Sequence, residues 1–344
     1  MIHYTQHIHA ELQGLLGAAG ADRAFLLMDE TTARLCRPLL GTAADTLLPV
    51  VIPPTDAHKT LATLADVWRA LVSGGASRRS LLVNLGGGMV TDLGGFAAAT
   101  FKRGIRYINI PTTLLSMVDA AVGGKTGINF EGLKNEIGAF RDSEAVVIDT
   151  SFLRTLDTPN VLSGYAEMLK HALLRGGEMW LDHLRFDPSR PDLTRLQEMV
   201  RQSIDVKSSI VAEDPHERGL RKALNLGHTV GHAFESLALR RGQPVLHGYA
   251  VAWGLVCELY LSCRLAGFPE DAMRQAWNFV REHYGTFAFT CDDYPALLEL
   301  MRHDKKNAGG AINFTLLEAP GHLRLDSHAT DAQIEDMLDF YTNT

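Results

Sequence analysis

The texture of the chain changes once, near residue 150, and that change bounds the folds open to it. Before it, short β-rich runs at 24–28, 46–52, 81–85, 106–110 and 145–148 alternate with helical patterns such as 59–73 and 91–100. Such alternation predicts a parallel sheet with crossover helices. After Asp149 helical periodicity dominates, over 161–174, 192–211, 221–239 and 248–265. With 344 residues the chain is long enough for two cores. The expectation is an α/β domain over 1–150 and an all-α domain over 151–344. No Pro/Gly/Ser-rich linker parts them, so close packing with a cleft between the halves is expected.

The formal charge of −7 argues against a nucleic-acid binder, although local clusters of Lys and Arg could still hold a small anion. The four cysteines (Cys36, Cys257, Cys263, Cys291) form no C-x-x-C pair and read as thiols in a reducing compartment. Residues 1–13 lack the apolar core of a signal peptide. The most apolar stretch, 249–263, is broken by Glu258 and is too short to span a bilayer. A cytoplasmic enzyme with no membrane segment is expected.

The strand ending at Leu85 runs into Gly86-Gly87-Gly88, and a helical pattern containing Asp92 follows. Glycines let backbone approach a phosphate, and first-turn N–H groups point at it. The pattern is not G-x-G-x-x-G, since Thr91 takes the third glycine position, and the same residues would serve a simple chain reversal. A second strand-to-turn step, Ile110-Pro111-Thr112-Thr113, sets two hydroxyls where α/β sheets bind ligands. The run Asp119 to Gly127 looks like the end of a P-loop, but Asp119 stands where its first glycine belongs. What remains is a glycine-lined turn presenting Lys125, with Lys134-Asn135 just beyond.

In a helix over 221–235, Arg221, Asn225, His228, His232 and Glu235 fall at i, i+4, i+7, i+11 and i+14 and form one polar stripe. Leu224, Leu226, Val230 and Phe234 occupy the other faces, so the stripe is expected on a largely buried helix facing something charged or coordinating. A lone histidine there would read as a satisfied core residue. Five polar groups in register point to a metal site. Imidazoles at i and i+4 can share an ion, with a third ligand from Glu167 or His247. Lys170 follows Glu167 at i+3, so a carboxylate and a cation could share a helix face.

These motifs, in this order, resemble the 3-dehydroquinate synthase family: Gly86-Gly87-Gly88 through Asp92, Pro111-Thr112-Thr113 through Asp119, Gly123-Gly124-Lys125-Thr126, Lys134-Asn135-Glu136-Ile137-Gly138, Ala166-Glu167 with Lys170, Asn225-Leu226-Gly227-His228 with Gly231-His232, Leu246-His247-Gly248, and Asp304-Lys305-Lys306. The resemblance spans most of the chain. It implies a Rossmann-like parallel-sheet domain, a helical domain and an active site in the cleft between them. It also implies one divalent metal ion, Zn2+ or Co2+, held by Glu167, His228 and His247, with His232 touching substrate. NAD would lie along Asp29, Asp56, Lys59, Gly87, Gly88, Asp92, Thr112, Thr113, Asp119, Lys125, Lys134, Phe152 and Thr155. Arg103, Lys125, Asn135, Lys170, Lys207, Arg221, Asn225, His232 and Lys305 resemble the substrate-binding and catalytic set. Two departures stand out: Thr55-Asp56 replaces the family's usual Gly-Glu, and Tyr249 stands where a glutamate is common.

The implied reaction turns the sugar phosphate 3-deoxy-D-arabino-heptulosonate 7-phosphate into 3-dehydroquinate and phosphate, in the shikimate pathway of aromatic amino-acid biosynthesis. It proceeds by transient oxidation with NAD, phosphate elimination, reduction and intramolecular aldol closure. A homodimer is implied as well. The rival readings are another sugar-phosphate cyclase, making 2-deoxy-scyllo-inosose or 2-epi-5-epi-valiolone, and a metal-dependent polyol dehydrogenase. Lys134-Asn135-Glu136-Ile137-Gly138 and Lys305-Lys306 favour the dehydroquinate synthase.

Overall fold

The computed structural model describes residues 1–131, 133–303 and 312–343, so Lys305 lies outside the described residues. The chain forms two compact units: Met1–Asp157 with Asp192–Ile204, and Thr158–Pro191 with Asp205–Thr344.

The first unit is built on six strands: β1 (Ile2–Tyr4), β2 (Ala24–Asp29), β3 (Leu48–Ile52), β4 (Leu81–Gly86), β5 (Arg106–Pro111) and, after a separate hairpin of β6 (Lys125–Phe130) and β7 (Leu133–Phe140), β8 (Ala145–Ile148). They pair in parallel in the order β1-β8-β5-β4-β2-β3. Helices α1 (Ile8–Ala19), α2 (Glu30–Leu35), α3 (Leu61–Ser73) and α4 (Gly88–Thr100) supply the crossovers. Every residue of β4 and β8 is buried, which is why both read as unbroken apolar runs. Phe25, Leu27 and Leu82 of the sheet pack with Val67 and Leu71 of α3 and Val90, Leu93 and Ala97 of α4. The β1 strand and the β6–β7 hairpin were not expected. The first is too short and polar to register, and the second carries three glycines and two lysines.

In the β3–α3 connection Thr55 has φ 79° and ψ 153°, a conformation that β-carbon sterics all but reserve for glycine. This is the position where the resembled family has glycine. Relief of that strain outweighs the extra freedom glycine gives the unfolded chain, so Thr55→Gly is expected to stabilise the protein by about 1 kcal/mol. A thermal or urea midpoint that falls instead would contradict it.

The second unit is helix-rich, as expected: α5 (Thr158–Arg175), α6 (Gly177–Arg185), the later part of α7 (Leu193–Glu213), α8 (His228–Arg240), α9 (His247–Ala266), α10 (Glu270–Tyr284), α11 (Tyr294–Arg302) and α12 (Asp331–Asn343). It adds one antiparallel hairpin, β9 (Asn313–Ala319) and β10 (His322–His328), to the helices the periodicity showed. α9 is the hub, buried from Gly248 to Ser262 apart from Tyr249, and packed on by α5, α8, α10 and α12. The expected continuous helix over 221–235 is broken. Leu220–Asn225 is a 3-10 turn, Gly227 takes φ 79°, and α8 starts only at His228. Among the described residues no helix is long and apolar enough to cross a membrane.

Candidate metal centre and nucleotide loops

Three helices of the second unit bring their side chains to one point. Glu167 lies midway along α5, His228 opens α8 and His247 opens α9. Glu167 Oε1 is 3.4 Å from His228 Nε2 and 3.5 Å from His247 Nε2. His232, one turn into α8, stacks its ring beside both, with centroids 5.2 and 5.9 Å away, but is not among the converging donor atoms. The carboxylate and the two imidazoles are therefore the candidate ligand set, and the i, i+4 imidazole pair is not. Helix spacing alone left both arrangements open.

Both Glu167 oxygens are buried and neither has a hydrogen bond of good geometry, although the Lys170 ammonium pairs with Oε2. Four-coordinate zinc with bonds of about 2.0–2.2 Å sets its ligand atoms roughly 3.3–3.6 Å apart, the spacing seen here. Each imidazole is turned by its other nitrogen. His228 Nδ1 faces the Leu226 carbonyl at 3.1 Å and His247 Nδ1 faces Glu235 at 3.2 Å, so both Nε2 atoms point at Glu167. The donor set and its spacing fit a small divalent ion.

The electrostatics differ from side chain to side chain. Burial opposes ionisation of Glu167, but the Lys170 charge leads the interactions that outweigh it and hold the carboxyl well below its usual range. Burial, then the Lys170 charge, pushes His228 down to about 3, so its ring is neutral and able to donate a lone pair. Burial disfavours charge on His247 too, but the neighbouring Glu167 and Glu235 carboxylates prevail and raise it to about 10.

Lys170, Lys207 and Arg221 are all buried in this unit, which is unusual for such residues. Arg221 is oriented by its loop: its Nη1 donates to the Pro215 carbonyl at 2.7 Å. Asp214 gathers that loop by accepting from the backbone N–H of Arg218, Gly219 and Arg221, and the first two bonds take it down to about 2. Asn225 Nδ2 donates to Glu217 at 3.0 Å. The sequence reading missed Asp214 and Glu217. An Asp-Pro step ending a long helix is the only signal that could have drawn attention to them.

In the first unit the expected nucleotide residues gather at the C-terminal ends of neighbouring strands. Asp29 closes β2, Gly87 and Gly88 follow β4, Thr112 and Thr113 follow β5, and Phe152 and Thr155 follow β8. The carboxyl ends of parallel strands are where open α/β sheets bind ligands. Thr112 N donates to the Gly86 carbonyl at 3.0 Å, tying two of these loops together. α4 starts on the glycine loop without a side-chain cap, as a phosphate-binding terminus requires. Asp29 is partly committed: one carboxylate oxygen caps α2 through Thr32 N at 2.8 Å.

Lys59, buried, bonds both Asp92 of α4 and Asn135 of β7 at 2.5 Å. Asp56 is held by Asn129 of β6 at 3.2 Å, so the shorter carboxylate is braced by the hairpin. Asp119 sits in a π-helical turn, Ser116–Ala120, and Lys125, Lys134 and Asn135 are exposed on the hairpin. Arg103 is not brought to the glycine loop. It is exposed beyond the far end of α4, a 13-residue helix about 20 Å long.

Two family models match the chain, 3-dehydroquinate synthase N-terminal over residues 49–163 and 3-dehydroquinate synthase C-terminal over residues 164–307. A 3-dehydroquinate synthase of Parabacteroides distasonis is 53% identical over 97% of this chain and 95% of its own length. One from Geobacillus kaustophilus is 43% identical over 86% of this chain and 81% of its own. Among solved structures, a 2-deoxy-scyllo-inosose synthase with carbaglucose-6-phosphate, NAD+ and Co2+ superposes with a TM-score of 0.85 at 21% identity, covering 99% of this chain and 96% of that one. A 2-epi-5-epi-valiolone synthase from Streptomyces hygroscopicus with NAD+ and Zn2+ does so with a TM-score of 0.84 at 24% identity, covering 100% and 96%. At those identities the likeness establishes the shared fold.

Proposed function

The chain belongs to the 3-dehydroquinate synthase family, and from that premise we propose that it converts 3-deoxy-D-arabino-heptulosonate 7-phosphate to 3-dehydroquinate and phosphate, as an NAD- and metal-dependent lyase. The observation that carries the reading is the convergence of Glu167, His228 and His247 beside buried Lys170.

Glu167 Oε1, His228 Nε2 and His247 Nε2 would hold the divalent ion, Zn2+ or Co2+, whose Lewis acidity lowers the pKa of a substrate hydroxyl. Asp29, Gly87, Gly88, Thr112, Thr113, Asp119, Phe152 and Thr155 would hold NAD, with Asp56, Lys59, Asp92, Lys125 and Lys134 around it, and NAD would take a hydride from the substrate and return it, with no net redox change. Lys207 and Arg221, buried cationic donors, suit the carboxylate and phosphate of the substrate. Lys125, Asn135, Arg103 and Lys305 are assigned to the same substrate on the strength of the family motifs. Lys170, Asn225 and His232 would donate hydrogen bonds to oxygens that gain negative charge. Glu235 keeps the His247 ring turned toward Glu167.

His247 keeps a proton up to about pH 10, and an incoming ion must displace it. Loading with Zn2+ at pH 7–8 is therefore expected to release about one proton per ion, read with a pH indicator. Apparent affinity should climb roughly tenfold per pH unit below pH 10 and level off above it. A flat profile would show that no proton has to leave His247 before the ion binds.

The activity is tested with the heptulosonate phosphate and a catalytic amount of NAD. Phosphate release in many-fold excess over NAD, without lasting absorbance of NADH, abolished by chelation and restored by Zn2+ or Co2+, is expected. NADH accumulating in step with substrate loss, with no phosphate, would identify a dehydrogenase instead.

A cytoplasmic homodimer completes the proposal. Exposed Phe130, Leu133, Ile137 and Phe140 on the hairpin support self-association. Sedimentation at a monomer mass across micromolar concentrations would contradict it.

A further inference from the structure

The polar groups of the second unit include one fully buried carboxylate outside the ligand set. Glu258 lies on α9 eleven residues after His247, three turns along and on the same helix face. Its Oε2 accepts from Gly227 N at 2.6 Å, and its Oε1 accepts from Thr229 N at 3.0 Å and Val230 N at 3.2 Å. These three N–H groups flank His228. They belong to a helix start with no side-chain cap of its own, because its N-cap is Gly227. Glu258 thus caps α8 from a neighbouring helix.

The approach that allows this is built into the packing. A β-carbon on Gly254 would meet the Gly227 carbonyl at 2.0 Å, and one on Gly231 would meet the Ala250 carbonyl at 2.8 Å. α8 and α9 therefore touch backbone to backbone. Gly227 itself needs φ 79°, which turns the Leu226 carbonyl to within 3.1 Å of His228 Nδ1. The carboxylate holds the turn, the turn sets the His228 backbone and ring, and the ring presents Nε2 to Glu167.

From this geometry we propose that Glu258 is a positioning residue for the metal centre, clamping the first turn of α8 so that His228 meets Glu167 and His247 at ligand spacing. The proposal rests on the metal reading given above. An ionised carboxylate is acceptor-only and suits three donors, whereas an amide of the same shape sets an NH2 group against one of them. The effect on the ion passes entirely through His228.

The test compares wild type, Glu258→Gln and Leu338→Ala, a variant that opens the helical core from α12 without altering the carboxylate that accepts from the start of α8. Zn2+ affinity is measured by chelator competition, and the visible spectrum of the Co2+-loaded protein reports ligand geometry. E258Q is expected to bind Zn2+ about 10- to 100-fold more weakly, with a shifted or weakened Co2+ band. L338A should lose stability but keep both readouts. If E258Q is recovered unfolded, Glu258→Asp, which keeps the charge but retracts it by one methylene, is measured with an intermediate loss expected. Unchanged affinity and spectrum in the Glu258 variant, or equal losses in L338A, would overturn the proposal. A wild-type protein that fails to take up one ion per chain would instead overturn the metal reading beneath it.

Discussion

Glu167→Ala is expected to yield a protein that retains no divalent ion after dialysis and turns over at least about 10³-fold more slowly, since several kcal/mol of charge stabilisation disappear with the ion. The same substitution strips the buried Lys170 ammonium of its partner. Breaking a buried ion pair from one side costs about 3–5 kcal/mol, so the variant should also unfold at clearly lower temperature. The two losses can be separated. Adding Lys170→Met removes the stranded charge and should recover most of the stability, while ion binding and turnover stay lost. A single variant that keeps its ion and its rate would remove Glu167 from the ligand set. A double variant that regains activity would show that the charge pair was the whole of the effect.

Gly248→Ala is expected to damage the same centre by steric means. A β-carbon at Gly248 would lie 1.8 Å from the Ser163 carbonyl oxygen and 2.5 Å from the Ser163 Cα. Both obstacles are backbone of α5, the helix that carries Glu167, and Gly248 directly follows His247. Neither partner can rotate out of the way, so α9 must back off from α5 and carry His247 away from Glu167. Overpacking of this kind costs about 3 kcal/mol, which lowers the melting temperature by roughly 6–12 °C. Zn2+ affinity should fall with it. Gly14 of α1 has nothing within 4 Å of its would-be β-carbon, so Gly14→Ala is expected to stabilise the protein by up to about 1 kcal/mol. Melting curves of the two variants check the contrast directly. A Gly248→Ala protein as stable as Gly14→Ala would mean that α5 and α9 do not approach this closely.

Periodicity carried most of the fold. Five runs of the sheet unit became strands within two residues of their expected ends, because apolar residues buried on both faces in β2, β4, β5 and β8, and a β-rich apolar run at the edge strand β3, leave a clear pattern. The helix expected over 248–265 is α9, longer by one residue at each end. Periodicity failed where backbone conformation overrides side-chain pattern. At Leu226-Gly227 the polar stripe continues in sequence while the helix does not, and nothing about hydrophobicity marks the break. The β6–β7 hairpin was hidden for a related reason. Seven of the eight β7 residues are exposed and only Ala139 is half-buried, so no buried face imposes alternation.

The sequence by itself determined that this chain builds a parallel sheet followed by a helical half, and that His228, His232, His247, Glu167 and Lys170 belong to one chemistry. Composition and ordered motifs suffice for that, because they record which residue types a site needs. The ordered motifs, through the family they resemble, also named Glu167, His228 and His247 as ligands, a choice helix spacing left open; the tertiary structure alone decided that Lys59 is a buried link between α4 and the hairpin, that Arg103 stands at the far end of α4, and that Glu258 clamps the turn before His228. Those are matters of contacts between residues far apart in the chain, such as Lys59 and Asn135, and a linear pattern holds no record of the distances through space on which coordination and hydrogen bonding depend.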